Sequence, residues 1–396
     1  MTDVAEAVAA AHRSDWGRIV AGLIRRTGDW MLAEDATQDA FAAALARWPQ
    51  DGIPDRPAAW LTTTARNKAI DKMRSATSER SRLQQSGMEL EHMETQDIDD
   101  DRLRLIFTCC HPALPLAARV ALTLRTVAGL PVGEISRAFL VSESTMAQRL
   151  VRARHKIEHA AIPYRVPPPE LLEERLSGVL AVLYLAFNAG YSDVALTDLS
   201  ASAISLAEAV VDLMPNESEA RGLLALMLVQ NSRRDARLTA TGALLTLEEQ
   251  DRSLWNYSDI ERGRAMLGSA RVRGPYVLQA AIAECHAGAR SASSTDWSRI
   301  VALYDELLSL SPSPVIALNR AIAVGMRDGP DAGLQLLDEI ADQLPGFHLL
   351  PAAQADLLRR AGRVAEAIVR YREAIPLAPT AQERTQLQHR LAELSM

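Results

Sequence analysis

Cysteine is scarce, with three in 396 residues, at positions 109, 110 and 285. No CxxC pair occurs, so neither a disulfide framework nor a zinc knuckle is indicated. Cys109-Cys110-His111 sets two thiols beside an imidazole. Adjacent cysteines chelate one ion poorly, and buried structural thiols are the expectation, with no metal and no cofactor. The sequence also lacks a phosphate-binding Gly-rich loop, a His-Glu-x-x-His and a nucleophile elbow, and its eight histidines are scattered. These absences speak against an enzyme. Long apolar runs are missing too. Val179 to Phe187 falls far short of the ~20 residues of a membrane span. The N-terminus lacks the basic-then-apolar order of a signal peptide. A cytoplasmic chain without a membrane partner is expected.

Positive charge is in deficit overall, with 43 Lys/Arg against 50 Asp/Glu and a formal charge of -7. That total alone disfavours a nucleic-acid partner, but its distribution reverses the reading. From Arg119 to Arg165 there are eight Lys/Arg and three acids, a local basic patch. The length suggests two or three domains, and 48% apolar residues are ample for their cores. The periodicity is helical throughout, which predicts an all-α fold.

The basic patch has an ordered pattern. Val132 to Phe139 carries Ile135, Ala138 and Phe139 on one face of a short helix. Leu140-Val141 comes next as a turn, and Ser142 is placed to cap a longer helix with Glu143 in its first turn. Met146, Leu150, Ala153 and Ile157 then form an apolar stripe. On other faces lie Ser144, Thr145, Gln148, Arg149, Arg152, Arg154, His155 and Lys156. This layout matches a helix-turn-helix with Ser142 to Lys156 as the reading helix. Arginine suits guanine edges, Gln adenine, and surplus cations phosphates. The competing interpretation is an ordinary helical hairpin with a solvated basic face.

Upstream, Trp16, Ile19, Val20 and Leu23 share one apolar face. A helix from Glu34 to Trp48 points Phe41, Leu45 and Trp48 inward and opens with Glu34, Asp35, Gln38 and Asp39. Pro49 to Pro57 reads as a loop whose polar residues are Asp51, Asp55 and Arg56. A third helix, Ala58 to Arg74, buries Leu61, Ala65, Ala69 and Met73 and leaves Trp60, Asn67, Lys68 and Arg74 for the surface. An exposed Trp with Arg and Asn can stack on and bond unpaired bases. Leu83 to Asp101 holds seven acids and no Lys or Arg, the composition of a mobile linker. Arg102 to Leu124 supplies Phe107, Leu114, Leu116, Val120 and Leu124 to a small core. Pro163 to Pro169 marks a domain boundary. Beyond it Ala321/Ala355, Gly333/Ala367, Leu337/Tyr371, Ile340/Ala374 and Pro345/Pro379 each recur 34 residues apart, the tetratricopeptide period. Gly242 to Trp255 is less regular.

These stretches, in this order, resemble extracytoplasmic-function sigma factors. Glu134-Ile135, Ser142 to Thr145 and Arg152-Ala153-Arg154 resemble region four of that family, although Leu140 stands where a Gly is usual. Ala33 to Phe41 resembles the helix that docks on RNA polymerase, and Trp60-Leu61 with Ala65 to Asp71 and Arg74 the helix that melts the minus-ten element. The resemblance implies region two over residues 1–82, an acidic linker over 83–101, region four over 102–162, and a tetratricopeptide-like extension over 163–396. It implies core polymerase binding by Glu34, Asp35, Gln38 and Asp39. Minus-ten contacts fall to Asp51, Asp55, Arg56, Trp60, Asn67, Lys68 and Arg74. Minus-35 contacts fall to Ser144, Thr145, Gln148, Arg149, Arg152, Arg154 and Lys156. The partners are then core polymerase, promoter DNA and a peptide or protein on the extension. The other classes are a helix-turn-helix regulator with a repeat sensor domain that does not bind polymerase, and an enzyme with a regulatory module.

Overall fold

A computed structural model describes residues 2–80, 96–139, 141–192, 197–239 and 244–394. Among them every extended element is a helix, and the only strand-like pairing is a single antiparallel bridge between Leu238 and Leu244. The chain divides into two compact units, residues 1–215 and 216–396.

The first unit opens with a three-helix bundle of α1 (Thr2–Thr27), α2 (Trp30–Asp51) and α3 (Pro57–Arg80). Trp16, Ile19, Val20 and Leu23 of α1, Phe41 and Trp48 of α2, and Leu61, Ala65 and Ala69 of α3 are buried, as their spacing predicts. Asp29 caps α2 by accepting the Leu32 amide at 3.0 Å. Pro49 does not end this helix. It runs on to Asp51 and closes at Gly52, whose φ of 83° is easy only for glycine. Leu45, expected inside, is 53% exposed. The buried line on α2 passes through Ala40, Ala44 and Trp48, and Leu45 lies about 100° past Ala44.

Next come α4 (Gln96–Cys109), α5 (Leu116–Leu122) with a π-helical turn at Thr123–Val127, α6 (Val132–Ala138) and α7 (Glu143–His159). Pro112 and Pro115 lie between α4 and α5. Leu116, assigned to the core, is instead exposed at the first position of α5. The acidic stretch also differs from expectation. Residues 81–95 lie outside the described residues, but 96–101 form the opening turns of α4. Asp101 is 1% exposed and pairs with Arg25 at 2.8 Å and Arg104 at 3.2 Å. An acid with two arginines in reach belongs to a packed helix rather than a linker. Cys109 and Cys110 are buried and free. Burial pushes the Cys110 thiol up to about 11.

The proline-rich segment is not where packing breaks. Helices α8 (Pro169–Ser192) and α9 (Thr197–Leu213) pack on each other and on α1, α4 and α5, and Arg175 donates to the Phe107 carbonyl at 3.1 Å. Prolines at 163 and 167–169 interrupt the helix without detaching α8 and α9 from this core.

The second unit is a run of helices: α10 (Ser218–Asn231), α11 (Tyr257–Gly268), α12 (Pro275–Ala287), α13 (Trp297–Leu310), α14 (Pro314–Asp328), α15 (Pro330–Glu339), α16 (Leu349–Arg360), α17 (Val364–Leu377) and α18 (Ala381–Glu393). From α12 onward each helix packs on the next. The 34-residue register holds in the burial: Ala321 and Ala355, Gly333 and Ala367, and Leu337 and Tyr371 are all buried. Small residues let the helices approach. Gly333 lies so close to Gly325 and Leu357 that a Cβ there would meet them at 2.8 and 2.7 Å. This is tetratricopeptide-like stacking. Between α10 and α11 the chain is irregular, with Trp255 buried under Arg252, whose guanidinium stands 4.3 Å from the ring centre.

Gly222 lies at a close crossing between α10 and α12. A Cβ there would sit 2.5 Å from the Val277 amide nitrogen, a backbone atom that cannot turn aside. Gly222→Ala is therefore expected to cost about 1–3 kcal/mol despite alanine's better helix propensity. Denaturant titration of the full chain checks this. A stabilised variant would show that the crossing yields freely.

Candidate nucleic-acid interface

Helix α7 forms as its sequence predicts. Ser142 accepts the Thr145 amide at 3.2 Å, and Met146, Leu150, Ala153 and Ile157 are buried. Leu140 lies outside the described residues, and beside it the Val141 amide bonds the Ser136 carbonyl at 3.1 Å. On the outer side of α7, Ser144, Thr145, Gln148, Arg152, His155 and Lys156 are exposed. The period of 3.6 puts Ser144, Gln148, Arg152 and His155 in one line, opposite the buried stripe.

Two arginines of the expected set face elsewhere. Arg149 is half-buried, its guanidinium 5.4 Å from the Phe139 ring centre at the end of α6. Arg154 turns away from the outer line, and its Nη2 meets Glu34 Oε1 at 2.6 Å, its side chain only 14% exposed. The physical reason is angular: Arg154 sits about 100° from Ala153, on the flank that meets α2.

Glu34 is the largest departure from the sequence reading. The sequence places it on an exposed docking face, but it is 3% exposed. Its carboxylate also accepts from Arg125 Nε at 3.0 Å and the Thr126 hydroxyl at 2.9 Å. The neighbouring contacts are close. Trp16 Nε1 donates to the Thr126 carbonyl at 3.2 Å. Tyr164 donates to the Ala21 and Asp101 carbonyls at 3.0 and 3.2 Å. The N-terminal bundle and the helix-turn-helix module thus share one packed, ion-paired seam.

The other three members of the α2 set remain outside. Gln38 is exposed, and Asp35 and Asp39 are reached by Lys72 of α3, at 4.0 and 3.0 Å. Such exposed pairs contribute little and yield readily to a competing cation. Asp51, Asp55, Arg56, Asn67, Lys68 and Arg74 are exposed, while Trp60 is half-buried with its ring edge-to-face on Trp48 at 5.6 Å.

Beside these residues is a feature that sequence reasoning misses. A cavity of about 670 Å³ lies between α1 and the start of α3, lined by Arg18, Arg26, Arg56 and Arg66 with Thr62 and Thr63. Arg26 Nε and Nη1 and Arg66 Nε are buried there with no hydrogen-bond partner among the described residues. Burial, followed by the charges of Arg25 and Arg66, lowers the pKa of Arg26. The wall carries four arginines against one carboxylate, Asp15, which Arg18 reaches at 3.8 Å, beside apolar Ile19, Leu23 and Pro57 at the start of α3, and this charge balance favours an anionic occupant. The only sequence signal is a scatter of arginines some forty residues apart.

Among the described residues the chain is thus all-helical, with a three-helix bundle, a helix-turn-helix module and a repeat extension. Family comparisons are specific. Sigma-70 region 2 matches residues 14–79 and sigma-70 region 4 matches residues 104–157. A family of unknown function, DUF6596, matches residues 175–271. An uncharacterised protein of Rhizobium meliloti is 42% identical over 392 residues, 94% of this chain and 93% of its own. The probable ECF RNA polymerase sigma factor SigI of Mycobacterium tuberculosis is 30% identical over 171 residues, which cover 41% of this chain and 58% of that protein. The crystal structure of yeast Tom70 aligns over 99% of this chain and 87% of its own at 11% identity, with a TM-score of 0.32, too low to relate the folds. Over its N-terminal part the chain carries sigma-70 regions 2 and 4 and is similar to an extracytoplasmic-function sigma factor, and a tetratricopeptide-like extension follows them. Among the described residues no helix is long and apolar enough to cross a membrane.

Proposed function

We propose that this chain is a sigma factor that binds core RNA polymerase through the outer face of α2, reads the minus-35 element with α7 and opens the minus-ten element along α3. The observation that carries the proposal is the outer line of α7, Ser144, Gln148 and Arg152. It is exposed on a capped helix whose opposite stripe is buried. On α2, Asp35, Gln38 and Asp39 offer an acidic surface to a basic partner. Arg56, Asn67, Lys68 and Arg74 lie along the path of a separated strand, and the arginine-lined cavity suits its phosphates. Trp60 meets a base by tilting off Trp48.

Run-off transcription with core polymerase on a promoter library tests this reading. The Asp35→Ala, Gln38→Ala double variant is expected to fold normally, lose core binding and lose run-off product, while still binding duplex. The burial of Glu34 favours one other reading, a helix-turn-helix regulator that does not join polymerase. No core binding and no run-off product from the wild type, with equal duplex binding by wild type and double variant, would establish that alternative.

The extension is proposed to regulate. It carries a surplus of acid, 29 Asp/Glu against 21 Lys/Arg after Arg165, able to oppose a basic DNA-binding face. Because α8 and α9 belong to the first unit, the informative truncation is after Pro215 rather than Arg165. With masking, residues 1–215 are expected to transcribe about 5–150-fold more than the full chain, the span of ordinary coupling energies. Equal activity would remove the regulatory role.

A further inference from the structure

The last turn of α7 brings together three side chains to which the proposed transcription scheme assigns no contact, although His155 shares the outer line of Gln148 and Arg152. His155, Glu158 and His159 are exposed, and each offers one ligand atom within 4.8 Å of the others, the only such trio among the described residues. Their order is His-x-x-Glu-His. Histidines at i and i+4 stand on one helical face, the spacing by which a helix presents two imidazoles to one ion.

The local geometry points the same way. His155 Nδ1 and Glu158 Oε2 are 3.6 Å apart. A tetrahedral ion with bonds of about 2.0–2.2 Å has ligand edges of about 3.4 Å, so a small adjustment suffices. The two rings meet edge-to-face with centroids 5.8 Å apart. His159 Nδ1 lies 2.8 Å from the His155 carbonyl. A carbonyl only accepts, so Nδ1 donates in this contact and Nε2 is the ring nitrogen left for an ion. Fixing a ligand's tautomer through its other nitrogen is a recurrent feature of metal-binding histidines. The site also lies at the negative end of the α7 dipole, where a cation is favoured. The adjacent Arg154 is drawn off to Glu34.

We propose that His155, Glu158 and His159 bind one divalent d-block cation of the zinc class, with solvent completing its coordination. Two imidazoles and one carboxylate select zinc, copper, nickel or cobalt over magnesium and calcium, which prefer oxygen alone. The three cysteines, all buried, do not compete for it.

The test uses full-length protein without an affinity tag, titrated with Co²⁺ and followed by visible d–d absorption. One Co²⁺ per chain is expected, displaced by Zn²⁺ and indifferent to excess Mg²⁺. The His155→Ala, His159→Ala variant should lose the absorption, and Glu158→Gln should weaken binding by about tenfold. Since all three residues are exposed, circular dichroism should be unchanged. A wild-type spectrum that stays that of the aquo ion overturns the proposal, as does a double variant that titrates like the wild type. Neither DNA nor polymerase is present, so the outcome is separate from that of the transcription assay.

Discussion

Replacing Glu34 by alanine is expected to lower the unfolding free energy by about 3–5 kcal/mol, the usual loss when one member of a buried ion pair is removed. The carboxylate serves three donors at once: Arg125, Arg154 and the Thr126 hydroxyl. Without it two guanidinium groups keep their charge in a seam that admits little water, and a buried hydroxyl loses its acceptor. Both arginine side chains retain some exposure, 18% and 14%, which moves the expectation toward the lower end of the range. Glu34→Gln keeps the shape and one acceptor oxygen but not the charge, so its cost should be smaller. Chemical denaturation of the full chain measures both, through the first unit's transition. A Glu34→Ala midpoint indistinguishable from wild type would show that the seam is held by its apolar contacts alone.

The second large effect concerns DNA. Gln148→Ala and Arg152→Ala should each weaken binding to a duplex selected by the wild-type protein by about 1–3 kcal/mol and relax base preference at one position. Lys156→Ala should weaken all duplexes alike and lower the slope of affinity against salt by about one. Arg154→Ala is the internal comparison, since it lies in the same sequence motif but its guanidinium is on Glu34. It should cost stability and leave base preference intact. If Arg154→Ala changes preference and Arg152→Ala does not, the outward line on α7 has been misassigned. Fluorescence anisotropy over a salt series separates these outcomes.

Much of α7 is legible in the sequence, because its determinants are local. Ser142, the acid after it and the Met146-Leu150-Ala153-Ile157 stripe lie within sixteen residues and fix the cap, axis and inner face. The same holds for the 34-residue register of the extension, which repeats a local packing problem. The illegible part is long-range. Periodicity says which face of α2 is polar, not what covers it, and the groups that cover Glu34 come from 91 to 120 residues away. The composition around Asp101 suggests a linker, whereas Arg25 decides its environment. The arginine-lined cavity is invisible for the same reason. Prolines at 163–169 announce a break in the helix, and sequence has no means of showing that the next two helices return to the same core.

That return has a bearing on how such a chain can be dissected or recombined. Leu176, Val179, Leu180 and Leu183 of α8 are each at most 4% exposed. A clone stopped at Arg165 would strip this cover from α4 and α5, leaving a sticky apolar surface and an orphaned Phe107 carbonyl. Poor solubility of that fragment would then say nothing about regulation. The DUF6596 match, running from 175 to 271, crosses the division at 215. Its first part travels with the DNA-binding unit as a fitted lid, so an exchange of extensions between relatives would preserve folding only if the junction falls after α9.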